Sequence, residues 1–186
     1  KSILGDAEII TVNLYQLSYT GCKSCFTCKA KNSPTYGKCA INDDLSEVLD
    51  HIYETDCLAI ASPVYLMDIN GQTKSFLERL CYPLGSYEKG YRSLARKRIP
   101  VVTFYTMNTT GDNAPLRAFE NTEMFLAHIF SQPRRICSFN TYQFSDYSKY
   151  VVETFSEREK AEYRDKHFND DITASYNVGK EIAVLT

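Results

Sequence analysis

The chain has no tryptophan and only three histidines in 186 residues. His51 and His128 fall in helical patterns and His167 in a charged stretch, so they read as core or surface residues rather than metal ligands. No apolar run is long enough to span a bilayer. No charged segment followed by an apolar one opens the chain, so nothing points to export. Neither sign of charge dominates: the net charge of -2 gives no case for nucleic acid or an acidic membrane surface as partner. The basic run Arg92–Arg98 reads as solvated surface. A Ser-His-Asp signature, a G-x-x-x-x-G-K-[ST] loop and internal repeats are all missing. A length of 186 residues fits one domain, 1–186, able to bury a core.

Cysteine, by contrast, is plentiful, at seven. A disulfide scaffold would be shorter and would pair all its cysteines, so an odd count favours a reducing cytoplasm. Cys57, Cys81 and Cys137 are isolated and read as small core residues. The other four, Cys22, Cys25, Cys28 and Cys39, cluster in "YTGCKSCFTCKAKNSPTYGKCAINDD", residues 19–44. Tyrosine is also abundant, at 14. Tyr82, Tyr87 and Tyr91 suit a lid or an oligomer contact, and equally plain packing.

Strand and helix patterns alternate along the chain. Strands are expected at 8–14, 57–65, 99–107 and 135–144, the second and third as apolar runs buried on both faces. Helices are expected at 43–56, 70–81, 114–130, 156–168 and 171–185. Asp44 and Glu47 resemble a capping box for the first of these. Such alternation implies a doubly wound parallel α/β sheet with helices on both faces. Ligands of such sheets bind at the carboxyl ends of the strands. That selects the loops 15–42, 62–70, 107–113 and 142–150, and it puts the cysteines on the ligand edge.

The most specific segment is "DCLAIASPVYLMDINGQTKSFLERL". Its Ser62-Pro63-Val64-Tyr65 turn, Gly71 at a helix start and Lys74-x-Phe76-x-x-Arg79 resemble the flavodoxin-like NAD(P)H-dependent FMN reductases, including the iron–sulfur flavoproteins. "GKCAINDDLSEV" and "FYTMN" resemble two further motifs of that family, in the right order. The resemblance covers most of residues 8–131. It implies a flavodoxin-like fold and FMN held by Ser62, Pro63, Val64, Tyr65, Asn70, Gly71, Met107, Asn108, Thr109 and Gly111. It also implies NAD(P)H as co-substrate, and a quinone, a nitro or azo compound or a protein as electron acceptor. Backbone donors at the start of the Gly71 helix suit the flavin oxygens, and a helix N-terminus behind them favours the charge of reduced flavin. FMN does the chemistry, so no catalytic side chain is assigned. Relatives are commonly homodimers or homotetramers.

The sequence departs from the family at its opening. "KSILGDAE" looks like the end of a first helix, and the first strand and Gly/Ser/Thr-rich phosphate loop are expected to precede residue 1. Cys-x2-Cys-x2-Cys favours an iron–sulfur cluster over structural zinc. The long spacer "KAKNSPTYGK" before Cys39 weighs against a [4Fe-4S] cluster. The expectation is therefore a flavoprotein whose four cysteines are free thiols or a redox pair. The rival reading is a flavin electron carrier without small-molecule turnover, and a third is a domain with structural zinc.

Overall fold

The computed structural model describes residues 7–184. Its sheet contains β1 (Leu58–Tyr65), β2 (Asp68–Ile69), β3 (Val101–Thr106) and β4 (Arg134–Ser138), in the order β2-β1-β3-β4. β1 runs parallel to β3 and β3 parallel to β4; β2 folds back antiparallel on the end of β1. The helices are α1 (Leu45–Glu54), α2 (Gly71–Leu84), α3 (Leu116–Ile129) and α4 (Glu157–Ala183).

Side-chain alternation along β3 divides the core. Val101 and Tyr105 join Leu45, Leu49 and Ile52 of α1, Phe76, Leu77 and Leu80 of α2, and Phe119, Leu126 and Ile129 of α3. Val102 faces the other way, with Ile136, against Ile182 and Val178 of α4. Helices thus cover both faces, as the alternating pattern predicts.

Several expectations are corrected. Residues 8–14 form no strand: Ile9 and Ile10 are 58% and 57% exposed. A strand is defined by its ladder, and this segment has no ladder partner among the described residues. β1 is not buried on both faces, since Ala59 and Ala61 are exposed. The last strand stops at Ser138. The two predicted C-terminal helices are one, because neither Pro nor Gly interrupts the chain between Ser156 and Gly179. A capping box starts it, Ser156 with Glu159. At α1, Asp44 makes no cap; Asp43 accepts from the Leu45 N–H at 3.2 Å and Glu47 instead pairs with His51. Leu116, at the start of α3, is exposed. The stretch read as the end of a first helix lies largely outside the described residues.

Candidate functional site

The parallel register pairs Ser62 with Tyr105 and Pro63 with Thr106. The carboxyl ends of β1 and β3 therefore emerge side by side, which brings the loops 64–71 and 107–111 together at one edge.

The first loop begins as a hairpin. Val64 pairs with Ile69 and Tyr65 with Asp68, leaving a two-residue turn. Both turn residues are left-handed, Leu66 at φ 52° and Met67 at φ 64°. Turns of this hand normally use Asn-Gly, because larger side chains cost about 1–2 kcal/mol at positive φ. Here the strained turn holds out three large side chains: Tyr65 is 57% exposed, Leu66 100% and Met67 53%. Leu66 and Met67 escape sequence reasoning, since Leu-Met is not a turn signal.

Asn70 joins this hairpin to α2. Its main-chain N–H and side-chain Nδ2 donate to Ser62 Oγ at 3.1 and 3.0 Å, and its Oδ1 accepts from the Thr73 N–H at 2.9 Å. Ser62 Oγ in turn donates to the Pro63 carbonyl. Ser62 and Asn70 are thus buried and committed to one another, so they shape the edge from within. Gly71 opens α2 with no atom within 4 Å of where a Cβ would stand. Pro63 and Val64 are half-buried.

The second loop is turned inside out in its hydrogen bonding. The carbonyl of Met107 accepts from Thr141 N–H and Oγ1, that of Asn108 from Lys160, and that of Thr109 from Asn140 N–H. The N–H groups of Asn108, Thr109, Thr110 and Gly111 donate to no protein acceptor among the described residues. Such open amides suit carbonyl or anionic oxygens. The Met107 side chain lies in the core at 3% exposure and its N–H donates to the Ser138 carbonyl, so that residue shapes the edge from within and offers it no free group. The hairpin wall and the open amides match a flat ligand with one polar edge.

The cysteine loop lies elsewhere. It starts near the edge, where Tyr19 donates to the Gln72 carbonyl at 2.7 Å, and then runs along α2. Cys22, Cys25, Cys28 and Cys39 line one small hollow with Glu78, Arg79 and Tyr82. Arg79 stands eight residues beyond Gly71, about 12 Å along the helix axis. The expectation that the cysteines sit on the ligand edge is corrected accordingly: the strand meant to carry them there does not form.

Two cations pin this loop. Arg79, fully buried, engages all five of its N–H donors. Nε reaches Cys39 Sγ at 2.8 Å; the terminal nitrogens reach the carbonyls of Thr20 and Ile41 and both oxygens of Asp43. Those hydrogen bonds hold the Asp43 carboxyl below the usual carboxylate range. Lys29 caps the other end of α2, donating to the carbonyls of Tyr82, Pro83 and Gly85. The sequence shows Arg79 only as a motif member and Lys29 not at all.

The spacer between Cys28 and Cys39 is tied off at its base. The Gly37 N–H donates to the Cys28 carbonyl at 3.0 Å, and Gly37 takes φ 78°, where glycine is favoured. Cys39 is thereby returned to Cys28. The thiols nonetheless do not converge: among the described residues no three His, Cys, Asp or Glu side chains form a group able to hold a metal ion. Cys25 is exposed and the Thr27 hydroxyl lowers its pKa; burial raises that of Cys28. Cys81 is buried, with Cys57 and Cys137 half-buried, as predicted for packing residues. Tyr82 and Tyr87 bond through their hydroxyls at 2.6 Å beside the cysteine hollow, away from the ligand edge.

The chain is similar to several known proteins. Two iron-sulfur flavoproteins of Archaeoglobus fulgidus are 32% identical over 75 residues and 31% identical over 104 residues. These matches cover 40% and 55% of this chain, and 31% and 46% of the relatives. The chain thus spans less than half the length of the curated relatives it matches. A solved FMN-dependent NADH-azoreductase from Bacillus anthracis, in complex with FMN, superposes with a TM-score of 0.49 at 11% identity. That match covers 71% of this chain and 60% of the other. The family model for NADPH-dependent FMN reductase matches residues 3–133, well over half of the chain, and with the parallel sheet and its ligand edge this shows that the chain belongs to the NADPH-dependent FMN reductase family.

Proposed function

We propose that the protein is an NAD(P)H-dependent FMN oxidoreductase that binds the isoalloxazine between the 64–67 hairpin and the 107–111 loop. The observation that carries this reading is the pairing of a strained apolar wall with a row of open amides at the ends of adjacent parallel strands. Strain of this kind persists where the surrounding fold enforces it, and it concentrates at ligand sites. FMN held there would supply the redox chemistry, a two-electron reduction by a dihydronicotinamide and reoxidation by a quinone, a nitro or azo compound, or a protein acceptor.

The chain's own residues bind and orient. Tyr65, Leu66 and Met67 cover one ring face and exclude water. The amides of Asn108 to Gly111 donate to the pyrimidine oxygens, and Gly71 leaves room for backbone approach. Asn70 and Ser62 keep hairpin and helix in register. A second copy of the chain, in a homodimer or homotetramer, covers what remains of the exposed wall. With no helix among the described residues long and apolar enough to cross a membrane, and with seven free thiols, the cytoplasm is the proposed compartment.

The test is the absorption spectrum after incubation with FMN and gel filtration, followed by NAD(P)H consumption with and without a quinone. Retained flavin with turnover supports the oxidoreductase. Retained flavin reducible only by a protein donor supports the electron carrier, and protein that retains no flavin overturns both. A second reading adds an iron–sulfur cluster at Cys22, Cys25, Cys28 and Cys39, favoured by the single hollow that all four line. The name of the archaeal relatives points the same way.

A further inference from the structure

A buried cation lies behind the loop that follows β3, and none of the roles above uses it. Lys160, in the first turn of α4, is 1% exposed. Its Nζ donates to the Asn108 carbonyl at 3.1 Å and to Asn108 Oδ1, and it sits 4.6 Å from the centre of the Phe155 ring. It forms no ion pair with a carboxylate among the described residues, and burial alone sets its pKa below the ordinary lysine value. An ammonium group buried without an anion is costly. A neutral donor such as glutamine would tie helix to loop at lower cost, so the charge itself calls for a use.

The hydrogen bonds indicate that use. Lys160 takes both oxygens of Asn108, so the Asn108 Nδ2 and the amides of residues 108–111 remain as donors. Donors stand in front and a positive charge behind. The complement is a ligand whose oxygens gain negative charge.

We propose that Lys160 is a positioning residue acting through Asn108: it fixes the loop with its donors outward and sets a buried positive charge behind them, so that the loop holds two-electron-reduced flavin more tightly than oxidised flavin. This rests on the flavin reading of the same edge.

The test compares the wild type with K160M, which loses the charge and the donors, and K160R, which keeps both. FMN and lumiflavin, the ring system without a phosphate, are titrated by fluorescence, and the midpoint potential of the bound flavin is measured anaerobically. K160M is expected to bind oxidised flavin within about threefold of wild type and to lose about tenfold in the ratio of reduced to oxidised affinity. That loss moves the two-electron midpoint about 30 mV more negative. K160R is expected to restore it. A purely structural tie weakens both oxidation states alike and leaves the potential in place, which would overturn the proposal. Wild-type protein that binds neither flavin sinks the parent reading as well. Should K160M lose its circular-dichroism signature, K160Q retains a neutral donor to Asn108, and the same comparison of potentials decides.

Discussion

Arg79 donates to both carboxylate oxygens of Asp43, at 2.8 and 3.1 Å, across thirty-six positions of chain. The arginine side chain is 0% exposed and the aspartate 17%. Removing one partner of such a pair leaves an uncompensated charge and costs about 3–5 kcal/mol. R79M is expected to lower the urea midpoint accordingly near neutrality. The folded Asp43 pKa is depressed, so the stability it contributes is present above the unfolded value of about 3.9 and lost as pH falls through the folded one. The penalty of R79M should therefore shrink in the acid range. A penalty that does not change with pH would show that Asp43 is not the partner that matters.

Gly71 offers a substitution that separates binding from folding. Nothing stands within 4 Å of its missing Cβ, and it occupies the first position of α2. Gly71→Val should leave the melting temperature unchanged within a few degrees while it fills the space left for flavin. Fluorescence titration is expected to show FMN affinity reduced at least about tenfold, or about 1.4 kcal/mol. Unchanged affinity in the folded variant would remove Gly71 from the site.

The cysteines should react in order of exposure and thiolate character. Cys25 is exposed, and the Thr27 hydroxyl 3.5 Å away favours its thiolate. Cys28 is 6% exposed with a raised pKa, and burial pushes Cys81 up to about 12. Limited alkylation of native protein, read by peptide mass spectrometry, should label Cys25 ahead of Cys28 and leave Cys81 to the last. Thr27→Val should slow Cys25 alone. Early labelling of Cys81 would contradict this packing.

Iron content decides between the two readings of the cysteine hollow. Anaerobic reconstitution with iron and sulfide should leave the chain as a flavoprotein without stoichiometric iron, because Cys39 is held by Arg79 and the thiols do not converge. About four irons per chain, lost in Cys25→Ser, would instead establish the cluster.

The helices α1, α2 and α3 and the strand β3 were legible because their apolar spacing reports burial directly, whereas β1 was legible as a strand but its apolar run overstated its burial. Residues 8–14 were not: Ile9, Ile10 and Val12 carry strand propensity, but a strand exists only through a neighbour. The polar run Asn169-Asp170-Asp171 looked like a break, yet these residues sit in a mostly exposed helix that tolerates them. At the site, the Ser-Pro-Val-Tyr motif located the edge. It did not show that Ser62 and Met107 turn inward, or that Leu66 and Met67 carry the strain. Lys160 was hidden among charged neighbours in "SEREKAEYRDKHF", since composition cannot tell a buried lysine from a solvated one.

The bond from Gly37 to Cys28 makes the spacer an appendage joined at its neck. Counting residues between the third and fourth cysteines then measures the size of the appendage, not the distance between sulfurs. Residues 30–36 can be trimmed to a short turn without shifting Cys39, provided that the neck is kept. Length in α2 is a different matter: one residue inserted between Gly71 and Arg79 would swing the guanidinium about 100° around the helix and release the whole cysteine loop. Homologous chains should therefore vary freely in the first interval and not at all in the second.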